Sequence, residues 1–322
     1  MKAAILAGGL GTRLRPITYL VPKPLIPLVG KPMIMHIIDS LPDYVDTVLL
    51  AVNYKRGDLE SYFSKAGIDR EVILIEEDEP LGTGGALRNL KEHLDSTFLA
   101  FNGDIVSSLD VMDLVRRHRE FGGIGSLALW EVPDPSAYGV VGLDGDRVTS
   151  FQEKPLPGEE VSNLINAGAY VFEPEIFDHI PEGKVSIERE VFPNILGKGL
   201  RGHRFEGYWV DCGTRESFLK AQGILMENAG AACHSNQFED TTVIGNNHLE
   251  HCKARGARIG PLVSAMDAVF NEDSQVINSL VMEGSMVGKA AKVINSLLGP
   301  GSNVRDGETV IDAVIGEGNS HR

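Results

Sequence analysis

The residues best suited to chemistry stand near the start of the chain, in Leu6-Ala7-Gly8-Gly9-Leu10-Gly11-Thr12-Arg13-Leu14-Arg15-Pro16, with Pro22-Lys23-Pro24 a short way beyond. Glycines let backbone N–H groups approach phosphate oxygens, and an arginine adds a bidentate charged contact, so the stretch reads as a cradle for a triphosphate. Two flanking prolines restrict where the Lys23 ammonium can go. Taken singly, a glycine turn is also an ordinary tight loop and a loop lysine an ordinary solvated side chain. The two commoner glycine motifs are not matched. Leu14 stands where G-x-G-x-x-G needs its last glycine, and no G-x-x-x-x-G-K-[ST] occurs, which counts against a dehydrogenase and a P-loop NTPase.

A carboxylate belongs to the same picture. The apolar run 98–101 ends in Asn102-Gly103-Asp104, which puts Asp104 at the carboxyl edge of a sheet beside the glycine loop, where open α/β sheets bind ligands. An oxygen ligand there suits magnesium, which keeps waters and phosphate oxygens in its shell. An Asp in such a place also caps turns.

The elements that must position these groups follow from periodicity. Short apolar runs at 3–7, 47–52, 71–75, 97–101, 126–132 and 169–172 predict strands. Apolar residues at three- and four-residue spacing predict helices at 33–41, 57–65, 84–94 and 111–121. The alternation predicts a doubly wound α/β domain with a mainly parallel, Rossmann-like sheet. A last helix at 215–228 precedes Ala229-Gly230-Ala231-Ala232, a boundary that divides the chain into a catalytic domain, 1–230, and a second domain, 231–322. In the second, Val281, Val287 and Val293, then after a slip Leu298, Val304 and Val310, recur every six residues. Such hexapeptide repeats predict a small left-handed β-helix with aliphatic residues pointing inward; an irregular β-sandwich is the alternative. An insertion at 246–258 is expected to blur the period, and His248 is expected on a loop there.

Composition sets bounds. A chain of 322 residues with 43% hydrophobic content can bury two cores, and a net charge of -15 argues against general nucleic-acid binding. Cys212, Cys233 and Cys252 are widely spaced, with no C-x-x-C pair, which predicts neither disulfides nor a zinc site and fits a reducing cytoplasm. The apolar start is interrupted at Gly8-Gly9, before a signal segment is complete, and no stretch reads as a membrane span.

The string 4–13 with Pro22-Lys23-Pro24-Leu25 resembles the opening signature of sugar-1-phosphate nucleotidylyltransferases. So do Glu76-Glu77-Asp78-Glu79-Pro80-Leu81-Gly82-Thr83-Gly84-Gly85-Ala86-Leu87, Tyr138-Gly139-Val140-Val141, Glu153-Lys154-Pro155, Asn166-Ala167-Gly168 and Trp209-Val210-Asp211-Cys212-Gly213. They occur in the family's order, and the likeness is strongest to mannose-1-phosphate guanylyltransferases. The resemblance implies that Asp211 joins Asp104 as the second magnesium ligand. It implies nucleotide binding by Leu6, Ala7, Gly8, Gly9, Gly11, Thr12, Arg13, Lys23, Gly82, Gly85, Asn102 and Asp104, with Arg13, Lys23, Asp104 and Asp211 catalytic. It further implies sugar-phosphate binding by Gly139, Glu153, Lys154, Asn166 and Asp211. An acid within 76–79 would accept from the N1–H and N2–H₂ edge of guanine, as acidic side chains accept from base amino groups.

The implied reaction is attack by a phosphate oxygen of the sugar-1-phosphate on the α-phosphorus of the triphosphate, with pyrophosphate leaving and a nucleotide sugar formed. A phosphate monoester is already largely ionised at neutral pH, its second pKa being about 6, so no strong general base is needed. GTP with mannose-1-phosphate is the expected pair, and thymidylyl or uridylyl transfer to glucose-1-phosphate the alternative. Of other classes, a non-catalytic regulatory subunit would not need Arg13, Lys23, Asp104 and Asp211 all present. A hexapeptide acyltransferase would need a histidine such as His248 or His251 in its repeats. The β-helix is expected to join copies into a homo-oligomer.

Overall fold

A computed structural model describes residues 1–319; the last three residues of the expected second domain lie outside the described residues. The chain forms two compact units, one of Met1–Gly9 with Ile37–Trp209, the other of Leu10–His36 with the chain from Val210 on.

The first unit is built on strands whose apolar runs are too continuous to have a wet face. Val48, Leu49, Leu50, Ala51 and Val52 are all fully buried, as parallel strands covered on both faces must be. Nine strands lie in the order Glu71–Glu76, Thr47–Val52, Lys2–Leu6, Phe98–Asn102, Leu164–Phe172, Gly125–Glu131, Leu200–Arg204, Arg147–Glu153, Gly139–Asp144. The first four are mutually parallel. They are the doubly wound core, with the carboxyl ends of Lys2–Leu6 and Phe98–Asn102 side by side at Leu6↔Asn102. Beyond it, Leu164–Phe172 runs antiparallel to both its neighbours, and Gly139–Asp144 with Arg147–Glu153 closes the sheet as an antiparallel hairpin. Two strands of this half, Gly139–Asp144 and Leu200–Arg204, fall outside the strands expected from the sequence. Gly139, Gly142, Gly202 and three basic residues dilute their apolar signal. The helix expected at 84–94 starts earlier and ends earlier, at Gly82–Asn89, followed by a 3₁₀ turn at Lys91–His93. An aromatic seam fills the core, with Phe98 stacked on Phe177 at 5.5 Å and Tyr170 on Phe172 at 5.2 Å.

In the second unit, the helix Arg215–Ala229 opens with a capping box between Thr214 and Ser217 and stops at Gly230, whose φ is 78°. Fully buried Gln222 sends its amide to the carbonyls of Leu262 (2.9 Å) and Ser279 (3.2 Å), pinning the helix to the repeats. The repeats form three parallel sheets, the left-handed β-helix. Val281, Val287, Val293, Leu298, Val304 and Val310 are all fully buried. The slip in the period has a simple cause: Val281 stacks on Leu298 and Val293 on Val310, 17 residues on, so one side of these coils is a residue short of six. The expected insertion at 246–258 is absent. That stretch holds regular strands at His248–Glu250, Lys253–Arg255 and Arg258–Ile259, and the period is hidden because coils here repeat after 16 residues and Ala254 and Ala265 occupy inward positions where Val or Ile is expected. Corners are turned by left-handed residues stacked coil on coil, for example Asn278, Asn295 and Asp312 with φ of 41°, 48° and 54°. Asn and Asp tolerate that conformation, and the Asn278 amide donates to Asn295 Oδ1 at 2.9 Å.

Phe270 is the largest side chain inside the β-helix, stacked between Ala254 and Val287. Phe270→Ala is expected to lower the stability of this unit by about 3–5 kcal/mol, because a rigid coil cannot collapse into the void. Equilibrium urea unfolding reads this as a lower midpoint.

Candidate active site

In the first unit the strand Lys2–Leu6 runs into the glycine loop, and Ala7 N–H still donates to Ala51 O at 2.9 Å. The neighbouring turn Asn102-Gly103-Asp104 folds tightly over this strand end. Gly103 N–H donates to Leu6 O at 3.0 Å, and a Cβ on Gly103 would stand 2.8 Å from that oxygen. Glycine at 103 is therefore what allows Asp104 to sit against the start of the loop. Gly8 faces Glu77: a Cβ there would lie 3.0 Å from Glu77 Oε1. Gly9 faces open space, with nothing within 4 Å of its Cβ position.

Glu77 is the buried acid of the run Glu76–Glu79, 5% exposed, while its three neighbours are exposed. Its Oε2 accepts from Leu81 N–H at 3.0 Å, and Asn53 donates its amide to the Glu77 carbonyl at 3.2 Å. Burial pushes the carboxyl pKa up, against the pull of the Leu81 bond. In the following loop Gly82 is exposed, with φ of 72°, and Gly85 is buried. The N–H groups of Gly84 and Gly85 both point at Val185 O, and a Cβ on Gly85 would overlap Gly183 O. The close approach that Gly85 permits is thus to its own chain.

Four of the five residues expected at the sugar phosphate, Gly139, Glu153, Lys154 and Asn166, lie in this same unit, and the fifth, Asp211, belongs to the second. Gly139 lies opposite Glu153 in the antiparallel hairpin, and its Cβ position is 3.0 Å from Glu153 Oε2. Ile165 pairs with Val140, which brings Asn166 to the end of that hairpin. Lys154 takes a left-handed φ of 53° and holds its ammonium 3.8 Å from Glu153 Oε1. Burial first, and then the charge of Glu188, raise the Glu153 pKa. Asn166 donates to Tyr170 Oη at 2.7 Å, at a bulge where Leu164–Phe172 slips register against Gly125–Glu131. Gly168, at φ 72°, leaves room for Asn102, whose Oδ1 is buried with no hydrogen-bond partner among the described residues. Trp209 Nε1 closes the group by donating to Ala167 O at 2.9 Å.

In the second unit Gly11 adopts a left-handed φ of 58°. Thr18 Oγ1 donates to Gly11 O at 3.0 Å, and a Cβ on Gly11 would press on Thr18 and Lys23. Lys23 is 6% exposed, enclosed by its own loop rather than solvated, while Arg13 and Thr12 are exposed. Arg13 and Asp211 meet at Gly213, where a Cβ would overlap the guanidinium and stand 2.8 Å from Asp211 Oδ1.

Asp104 and Asp211 are each only partly buried. Among the described residues no three His, Cys, Asp or Glu side chains gather into a metal cage. Magnesium needs none when one or two carboxylates share it with phosphate oxygens and water, and a carboxylate such as Asp104 or Asp211 is the kind of oxygen donor it takes. His248, expected on a loop, lies instead in the strand His248–Glu250. Its ring packs beneath Gly30 with Nε2 buried, and burial lowers its pKa.

In the sequence Glu77 is one of four acids in a run, and Asn53, Thr83 and Glu188 are not among the residues to which the resemblance gives a role. Asn53 has a signal of its own: it follows the strand Thr47–Val52 as Asn102 ends the strand Phe98–Asn102. Among the described residues no helix is long and apolar enough to cross a membrane.

The nucleotidyl transferase family model matches residues 2–228. Probable mannose-1-phosphate guanylyltransferase 1 of Oryza sativa subsp. japonica is 35% identical over 306 residues, covering 90% of this chain and 84% of the relative. Mannose-1-phosphate guanyltransferase of Candida albicans is 34% identical over 325 residues, covering 91% and 89%. A solved structure of a putative glucose-1-phosphate thymidylyltransferase from Bacillus anthracis, in complex with a sucrose, matches with a TM-score of 0.65 at 25% identity, over 70% of this chain and 94% of that one. With the glycine loop running off the first strand, Asp104 folded against it, and a family match from that strand to the end of the helix before the repeats, this chain belongs to the nucleotidyl transferase family, and mannose-1-phosphate guanylyltransferases are among its relatives.

Proposed function

We propose that the chain transfers a guanylyl group from GTP to mannose-1-phosphate, releasing pyrophosphate and giving GDP-mannose. The observation that carries the choice of base is Glu77. Its Oε2 is fixed on Leu81 N–H, no hydrogen bond reaches Oε1 among the described residues, and Oε1 faces the glycine loop at Gly8. A carboxylate so held is an acceptor for the paired N1–H and N2–H₂ donors of guanine, and a mismatch for the N3–H and carbonyls of thymine or uracil. The two guanylyltransferase relatives at 35% and 34% identity support the same choice over the thymidylyl branch.

On this reading the backbone from Leu6 to Thr12, with Asn102 and exposed Gly82, lines the nucleotide, and Arg13 and Lys23 neutralise the triphosphate. Gly139, Glu153 and Asn166 face the sugar, and Lys154 its phosphate. The resemblance assigns magnesium to Asp104 and Asp211, and the proposal keeps that assignment; when bound, the ion offsets charge on the phosphate oxygens and aligns them. Alignment and charge neutralisation supply the rate, as in other phosphoryl-type transfers, without a histidine or cysteine nucleophile. The family match ending at residue 228 supports the boundary near 230. Assembly into a homo-oligomer through the β-helix belongs to the same proposal, supported by Phe238 and Val243, which the first coil leaves exposed, and so does a cytoplasmic setting.

The test runs the reaction backwards: magnesium, pyrophosphate and GDP-mannose should yield GTP and mannose-1-phosphate, while UDP-glucose and dTDP-glucose should not. Glu77→Gln keeps an acceptor for Leu81 N–H but turns amide donors toward guanine. It is expected to lower kcat/KM for GTP by about 10–100-fold with an unchanged melting temperature, the size of a hydrogen bond to a charged group. Unchanged GTP kinetics in Glu77→Gln would leave this acid as a turn cap alone.

A further inference from the structure

The segment Ser186-Ile187-Glu188-Arg189-Glu190 carries features that the proposed reaction has not used. Residues Ile187–Val191 form a π-helix, a rare geometry that often marks functional sites. It packs against both the strand Arg147–Glu153, which ends in the proposed sugar ligand, and the helix Gly82–Asn89, which begins in the nucleotide loop. Its carboxylate Glu188 is held from one side. Thr83 Oγ1 donates to Oε2 at 2.6 Å and Ser186 Oγ donates to the same oxygen at 2.9 Å. Thr83 Oγ1 in turn accepts from Ile187 N–H at 3.0 Å, so the anchor is itself fixed. No hydrogen bond reaches Glu188 Oε1 among the described residues, and the side chain is only partly buried. Oε1 is therefore the acceptor left on a clamped side chain.

From these contacts we infer that Glu188 is a second sugar-binding carboxylate, accepting a hydroxyl of the hexose-1-phosphate through Oε1 and thereby selecting the hexose epimer. The inference rests on the proposed function. Glu188 stands close enough to Glu153 for its charge to raise the Glu153 pKa, with Lys154 and Arg189 acting in the opposite sense. Both carboxylates also bear on the buried Tyr170 hydroxyl, the one that Asn166 contacts. Like charges near enough to raise one another's pKa are a feature of functional sites. With the π-helix packed against the strand that ends in Glu153, the two carboxylates suit two hydroxyls of one sugar ring, each accepting one O–H. Mannose and glucose differ only in the direction of one hydroxyl, at C2. An acceptor pair of fixed geometry separates them, because a site built for a hydroxyl loses a hydrogen bond when that hydroxyl points elsewhere.

The test is Glu188→Gln in the full chain with magnesium. The amide oxygen can still accept from Thr83 and Ser186, so the fold is kept while the outward acceptor becomes a donor. KM for mannose-1-phosphate is expected to rise about tenfold or more, KM for GTP to stay within about twofold, and the preference for mannose-1-phosphate over glucose-1-phosphate to fall by a similar factor. Thr83→Val, which cannot donate, should raise the same KM by a smaller factor, because the carboxylate then loses one of its two anchors. An unchanged sugar KM and epimer preference in Glu188→Gln, or an equal rise in the KM for GTP, would overturn the inference alone. A wild-type chain with no activity on any hexose-1-phosphate would overturn the proposed function and this inference together.

Discussion

Asp104→Asn and Asp211→Asn are each expected to lower kcat by about 10²–10³-fold, the loss seen when one preorganised group that stabilises developing charge is removed. Asparagine keeps the shape and the carbonyl oxygen but removes the negative charge that holds a divalent ion. The magnesium concentration needed for half-maximal rate should therefore rise in both variants, while a regulatory or purely structural aspartate would leave it where it was. Stability should change little. Both residues are only partly buried, asparagine keeps the side chain's shape, and the Gly103 N–H to Leu6 O bond of the turn at Asp104 is backbone to backbone. Steady-state kinetics at several magnesium concentrations, with a thermal melt of each variant, checks this. A fall in melting temperature with no change in magnesium dependence would remove these residues from the metal assignment.

Gly213→Ala should separate activity from stability more sharply. The added methyl would overlap the Arg13 guanidinium and stand 2.8 Å from Asp211 Oδ1. Both are the ends of side chains, Arg13 exposed and Asp211 half-buried, so the methyl displaces them before it displaces the backbone. What they cannot do is swing aside and keep their aim. A misplacement of about 1 Å in groups that align phosphates costs about 100-fold in rate. The expected result is a kcat lowered by about 100-fold with a nearly unchanged melting temperature. A normal rate would mean that the meeting of Arg13 and Asp211 at Gly213 has no part in the chemistry.

What the sequence made legible was whatever a continuous run of residues carries. The first strand and glycine loop, the carboxylate after Phe98–Asn102, and the regular rungs from Val281 to Val310 were all readable, because each is a local pattern with one physical cause. The antiparallel half of the sheet was not. Gly139–Asp144 and Leu200–Arg204 have too few β-branched residues to declare themselves, and they become strands because their neighbours offer hydrogen-bonding edges. The first coils of the β-helix were hidden for a different reason. Alanine at 254 and 265 satisfies the inward position by burial alone, without the aliphatic bulk that a periodicity search detects. Within the site, Glu77 was one of four acids in a row until burial separated it from the others. Glu188 drew no role because its partners, Thr83 and Glu153, lie far from it in sequence.

The most direct test of the central claim is product identity. The purified chain, with magnesium, is offered GTP, dTTP, UTP, ATP and CTP together with mannose-1-phosphate and glucose-1-phosphate, and the nucleotide sugars formed are separated and weighed by mass spectrometry. The account predicts GDP-mannose as the dominant product, with one pyrophosphate released for each. A dominant dTDP-glucose or UDP-glucose would contradict the guanylyl assignment, and no nucleotide sugar from any pair would contradict the reading of this chain as a sugar-1-phosphate nucleotidylyltransferase.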